Sequence, residues 1–142
     1  MNSSLISFYS SRIKSISKVH IALPERDERI SHAGKILSEI GLKISYAESI
    51  VPSDNHIQSL KELEFSKNWP DENLIEYLND SFITSLVMLK NNEIDGVICG
   101  CTMPTSEVIR NSIRIIGLEK STKWLSSMFL MSDQKSEKIL SF

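Results

Sequence analysis

Hydrophobic positions along this chain recur in two periods, and the points where the period changes mark its elements. Val19-His20-Ile21-Ala22-Leu23 is a short β-rich apolar run cut by Pro24. It predicts a buried strand, with Pro24-Glu25-Arg26-Asp27 as the loop at its carboxyl end. From Glu28 to Ile40 the apolar positions Ile30, Ala33, Ile36, Leu37 and Ile40 fall on one helical face, and Gly41 closes the helix. Ile44 and Tyr46 alternate within Lys43 to Ala47, a second strand. Glu48 to Ser59 reads as irregular around the turn cluster Pro52-Ser53-Asp54-Asn55. A short helix is expected over Leu60 to Lys67, broken by Asn68-Trp69-Pro70. Acidic residues in Pro70-Asp71-Glu72-Asn73 then start a helix ending at Leu78. A further helix runs from Phe82 to Lys90, with Phe82, Ile83, Leu86, Val87 and Leu89 apolar and Asn91-Asn92 closing it.

The stretch from Asp95 to Gly117 carries the chemistry. Gly96-Val97-Ile98-Cys99 predicts a strand, Gly100 to Pro104 a tight polar loop, and Thr105 to Ile116 a helix with Thr105 as its N-cap. The first N–H groups of a helix have no internal partner and lie at the positive end of its dipole. Thr102, Thr105 and Ser106 add hydroxyls there, and Arg110 adds a fork of donors, so the pattern is that of an anion site. The same residues also fit a capped helix with an exposed arginine. Arg114, one turn on, is expected to face solvent or to pair with a carboxylate such as Glu119. After the helix, Trp124 to Met131 and Glu137 to Phe142 read as strands of a hairpin around Asp133-Gln134-Lys135-Ser136. Trp69 and Trp124 read as core anchors. The alternation of strands and helices predicts an α/β sandwich with a mostly parallel sheet, as one domain over residues 1–142. The apolar end at Phe142 leaves a strand edge that invites another chain. The sequence is therefore expected to be a fragment, or a protomer that forms a homo-oligomer or takes a complementing chain.

Composition narrows this only by exclusion. The 142 residues are 41% hydrophobic and 24% charged, with a formal net charge of −2, an ordinary globular profile without a basic surface for nucleic acid. No apolar run reaches the ~18–20 residues of a membrane span. Residues 1–18 are Ser-rich with a basic tail, but Leu5, Ile6, Phe8, Tyr9, Ile13 and Ile16 make a helical stripe and no signal-peptide core. They are expected to form an amphipathic helix in a cytoplasmic protein. Cys99 and Cys101 alternate on a strand end and point to opposite faces, so they are not expected to pair with each other. A lone C-x-C, with His32 on a helix and His56 in a loop, gives no metal constellation, and no bound metal or cofactor is expected.

Three blocks, in order and at matching spacing, resemble the phosphate acetyltransferase and phosphate butyryltransferase family. They are Ile21-Ala22-Leu23-Pro24-Glu25-Arg26-Asp27-Glu28-Arg29, then Ile94-Asp95-Gly96-Val97-Ile98-Cys99-Gly100 with Thr105 and Val108-Ile109-Arg110, and finally Ile115-Ile116-Gly117 with Ser126-Ser127-Met128-Phe129-Leu130-Met131. The resemblance implies a three-layer α/β/α sandwich of the isocitrate and isopropylmalate dehydrogenase type, incomplete at the C-terminus. It also implies acyl transfer, most simply acetyl, between coenzyme A and phosphate, with acetyl-CoA as a substrate and acetyl phosphate as a product. Thr105 and Arg110 match the family's phosphate-binding threonine and arginine, with Ser106 beside them. Glu25, Asp27, Arg29 and Thr102 are candidate supports, Asp27 and Arg29 chiefly by fixing the turn after the first strand. Two departures are visible. Glu64 stands where the family has a second functional arginine, and Arg26 replaces the glycine that follows the matching glutamate. The Ser-Arg pair and aspartate that the family associates with coenzyme A lie in a C-terminal half that has no counterpart here. The resemblance therefore admits two readings, an acyltransferase chain that needs a second chain for activity and an inactive relative that binds an anion or a protein partner.

Overall fold

The structure is a computed structural model that describes residues 18–125, 130–132 and 139–141. The chain divides into two compact units, one of residues 17–117 and one of residues 1–16 with 118–142. The expected N-terminal amphipathic helix and the hairpin turn lie outside the described residues.

The first unit is built on a parallel sheet. Strand β1 (His20–Leu23) lies between β2 (Lys43–Tyr46) and β3 (Gly96–Val97), with Ile21 opposite both Ile44 and Gly96. Parallel neighbours need crossover connections, and these are helical here. Helix α1 (Glu28–Glu39) joins β1 to β2, while α2 (Asp54–Lys61), α3 (Asp71–Leu78) and α4 (Ser81–Lys90) lead to β3. Helix α5 (Thr105–Ile115) follows β3. Successive strand residues point to opposite faces. Leu23 meets Gly34 of α1, whereas Ala22 packs in a cluster with Ile50, Ile94, Met88 and Leu89 on the α4 side. Helices thus cover both faces of this sheet, giving the α/β sandwich that the alternation predicted.

Gly34 marks the tightest approach. A Cβ there would lie 2.6 Å from Cε1 of Tyr46 and 2.9 Å from Cδ1 of Leu23, so glycine alone lets α1 sit this close to the sheet. The packing face of α1 accordingly runs through Ile30, Gly34 and Leu37, and the expected Ala33 and Ile40 are exposed. The larger core gathers Leu60, Leu74, Leu78, Phe82, Ile83, Leu86, Val87 and Ile115. Helix α4 is its centre, buried without a break from Phe82 to Val87. The hydroxyls of its buried Thr84 and Ser85 donate to the carbonyls of Leu78 and Ser81, so their burial leaves no orphan donor.

The region between β2 and α3 departs from expectation. Pro52 to Asn55 is not a plain turn, because Ser53 is the N-cap of α2 and the helix begins at Asp54. Residues that favour turns also favour helix starts. Helix α2 then stops at Lys61 instead of running to Lys67. Buried Ser66 explains the stop: its hydroxyl reaches back to the Leu60 carbonyl at 2.6 Å, and turns carry the chain to Trp69. His56, read as a loop residue, is 3% exposed. Its Nδ1 accepts the Ser53 N–H at 3.1 Å, so Nε2 carries the proton that meets the Glu93 carboxylate at 3.0 Å. Asn91 and Ser59 extend this network.

In the second unit, β4 (Leu130–Ser132) pairs antiparallel with β5 (Ile139–Ser141), the expected hairpin in shorter form. Lys123 to Leu125 are not strand, and Trp124 is 81% exposed, so it is no core anchor. Trp69, by contrast, is half-buried in a set of edge-to-face rings with Phe65 and Tyr77, their centroids 5.5 to 6.1 Å apart.

Candidate functional site

The loops that follow parallel strands gather at the carboxyl edge of the sheet, where open α/β sheets bind ligands. Two of them meet here, one after β1 and one after β3. In the first, Asp27 caps α1 by accepting the Arg29 N–H at 2.8 Å, and its carboxylate also receives the Arg29 guanidinium at 2.8 and 2.9 Å. The Arg29 side chain, then its backbone N–H, hold the Asp27 carboxyl at about 2, below its ordinary value. The same contact raises the Arg29 guanidinium, with Cys101 and Glu25 adding to it. This is the turn-fixing role expected of the pair. Arg26 does not sit in the left-handed region, so the glycine it replaces is not needed for backbone shape, and its guanidinium meets Glu48 at 3.2 Å.

The second loop is organised around the first. Gly100, at φ +98°, turns the chain out of β3. The buried Glu25 then accepts from the N–H groups of Cys101, Thr102 and Met103 at 3.0, 2.6 and 3.0 Å and from the Thr102 hydroxyl at 2.8 Å. Burial alone would raise this carboxyl, but the four donors outweigh it and leave it below its ordinary value. Thr102, a candidate support for phosphate, therefore spends its hydroxyl proton on Glu25. Cys99, half-buried beside the loop, has its thiol pushed up by burial and by Glu25, which keeps it protonated.

Helix α5 starts immediately after. Pro104, not Thr105, is the N-cap, and its carbonyl accepts from Glu107 and Val108 at 3.0 and 3.2 Å. Proline has no capping side chain, so the hydroxyls of Thr105 and Ser106 are not used as caps. The N–H groups of Thr105 and Ser106 fall in the turn that lacks intrahelical partners. Val108, Asn111 and Ile115 form the inward face, which directs Ser106 and Arg110, four residues apart, outward on one row. Thr105, Ser106 and Arg110 are all exposed. Arg114 continues the row, and its guanidinium lies 5.9 Å from the centre of the Phe65 ring, with no carboxylate paired to it among the described residues. That contact brings the turn bearing Glu64 against α5. Glu64 is largely exposed and its carboxylate holds Lys67 at 2.6 Å, so the negative charge at this position is paired locally.

A cleft of about 410 Å³ opens beside α5, lined by Trp69, Asn73, Glu76, Tyr77, Asp80 and Glu107 among others. The carboxylates of Glu76, Asp80 and Glu107 on its lining repel phosphate. No group of His, Cys, Asp and Glu suited to a metal ion occurs among the described residues.

The profile of the phosphate acetyl/butaryl transferase family matches residues 14–142. The chain belongs to this family. A phosphate acetyltransferase of Acetivibrio thermocellus is 30% identical over 118 residues, which are 83% of this chain and 35% of that protein. One of Haemophilus influenzae is 27% identical over 113 residues, 80% of this chain and 16% of that protein. Among solved structures, a phosphotransacetylase from Streptococcus pyogenes superimposes with a TM-score of 0.76 at 17% identity, covering 96% of this chain and 50% of that one. EutD phosphotransacetylase from Staphylococcus aureus gives 0.72 at 19%, covering 96% of this chain and 48% of that one. The phosphotransacetylase fold is thus shared across the chain, which spans about half the length of these solved relatives.

Sequence reasoning missed the part Glu25 plays in the second loop. Its signal was present, a glutamate placed just past the proline that ends a buried strand, but nothing in the sequence tied it to a loop 76 residues away.

Proposed function

We propose that this chain supplies the phosphate-binding half of an acyl-CoA:phosphate acyltransferase. Arg110 and the start of α5 hold phosphate, or the phosphoryl group of acetyl phosphate, in the cytoplasm. Family membership supports the reaction class, and the outward row Ser106–Arg110 at a helix start without a side-chain cap is the observation that carries the site. In the reaction a phosphate oxygen attacks the thioester carbonyl of acetyl-CoA. The C–S bond then breaks, giving acetyl phosphate and the coenzyme A thiol. Arg110 binds two phosphate oxygens through its fork, and Thr105, Ser106 and the helix start donate to the remaining ones. This fixes the nucleophile and lowers the cost of bringing it to the carbonyl. Coenzyme A binding and thiol protonation fall to groups outside this half.

A second reading has its own support. Glu64 puts an anion, paired to Lys67, where the family places a cation. An inactive relative that binds an anion would show the same fold. Acetyl phosphate formation from acetyl-CoA and phosphate, measured on the purified chain with and without the C-terminal half of a relative, separates the two. Turnover in the mixture that disappears in Arg110→Ala supports the half-site; phosphate binding with no turnover in any mixture supports the inactive relative.

A further inference from the structure

The loop between β3 and α5 has the form of an anion cradle, with three consecutive N–H groups converging on one point. That point is already occupied. The carboxylate of Glu25, 7% exposed, takes all three donors and the Thr102 hydroxyl, and it comes from the loop after the neighbouring strand. The oxygens divide the load, Oε2 meeting Cys101 and Oε1 meeting Thr102 and Met103. An incoming phosphate would have to expel a charge-assisted, buried carboxylate to use these groups, and while Glu25 stays it also repels a second anion.

We infer that Glu25 is the resident anion of this loop and a positioning residue for the helix start, holding residues 101–103 so that the substrate anion is confined to Thr105, Ser106 and Arg110. The confinement of the substrate rests on the phosphate reading given above; the resident anion does not. The donor set around a lost Glu25 side chain would be shaped for a small carboxylate, so Glu25→Ala acquires a site for formate.

Amide NMR of the full chain tests this. In the wild type, inorganic phosphate is expected to move the signals of Thr105 and Ser106 and to leave those of Cys101, Thr102 and Met103 in place. In Glu25→Ala, formate moves the latter three saturably and raises the unfolding midpoint, whereas chloride at equal ionic strength does neither and formate leaves the wild type unchanged. Should the alanine variant not fold, Glu25→Gln decides through the Thr102 amide proton. That proton moves upfield once the carboxylate is gone, and its remaining at the wild-type position would overturn the inference. Two other results would also overturn it, phosphate shifting the amides of 101–103 in the wild type and formate leaving Glu25→Ala unaffected. If phosphate moves no amide in the wild type while formate still fills Glu25→Ala, the phosphate reading fails and the resident-anion assignment stands.

Discussion

Two carboxylates tie distant parts of the first unit together, and they do so at different places on the sheet. Glu93, just before β3, accepts from buried His56 and clamps the start of α2 to the turn that follows α4. Glu25, just past the end of β1, clamps the loop that follows β3. Both make long-range hydrogen bonds, but the polar groups beside Glu93, those of Ser53, Ser59 and Asn91, are engaged in a network with it and His56. Next to Glu25 the network stops at Met103, and beyond it lies a helix start whose hydroxyls and arginine face outward. A hydrogen-bonded carboxylate is scaffold in one place and support for a candidate site in the other. What distinguishes them is whether open donors lie alongside.

The comparison breaks most visibly through stability. His56→Ala removes a buried side chain, leaves the Ser53 N–H without its acceptor and leaves Glu93 with the Asn91 amide but without its histidine partner. We expect a loss of about 2–4 kcal/mol in urea unfolding, with the phosphate response of the surviving folded protein unchanged. A phosphate response that vanishes in this variant would erase the distinction between the two regions. Gly34→Ala, also on the scaffold side, forces Tyr46 and Leu23 to move and should cost about 1–3 kcal/mol by the same measurement.

Arg110→Ala sits at the other extreme. Its side chain is exposed and outward, so stability should change by no more than about 0.5 kcal/mol. Phosphate affinity, read by calorimetric titration, should fall about ten-fold or more, as expected for a lost bidentate charged contact. A smaller effect comes from pH. Asp27, held at about 2 by Arg29, and Glu25, held below its ordinary value by its donors, both have folded-state values beneath their unfolded ones. Their stabilisation is therefore full above the unfolded carboxylate range and is lost as the pH falls through the folded values. For Asp27 this window runs from its ordinary 3.8 down to about 2. The unfolding midpoint of the wild type should fall more steeply over this window than that of Asp27→Asn; equal slopes would remove Asp27 from the account.

Much of this was legible from local pattern. Strands β1 and β2, helix α1 with its stop at Gly41, and α4 with its close at Asn91-Asn92 follow from short-range chemistry, and Gly41 and Asn92 do take positive φ values of 99° and 59°. The candidate residues Thr105 and Ser106 also fall at a helix start, with Arg110 a turn further in, as read. The failures share a cause. Ser66, His56 and Glu25 each act through a polar contact that ends or fastens an element at a distance, and periodicity carries no information about such partners. Pro104 as the cap is a subtler case: Thr105 had the better capping chemistry, but the proline fixed the extended backbone one residue earlier.

The central claim is that the start of α5 is a phosphate half-site. Calorimetric titration of the full chain with inorganic phosphate, wild type against Arg110→Ala, tests it most directly. Saturable binding in the wild type that is largely lost in Arg110→Ala, with both proteins unfolding at the same midpoint without phosphate, is the predicted result. Absence of binding in the wild type, or binding undiminished in the variant, would contradict it.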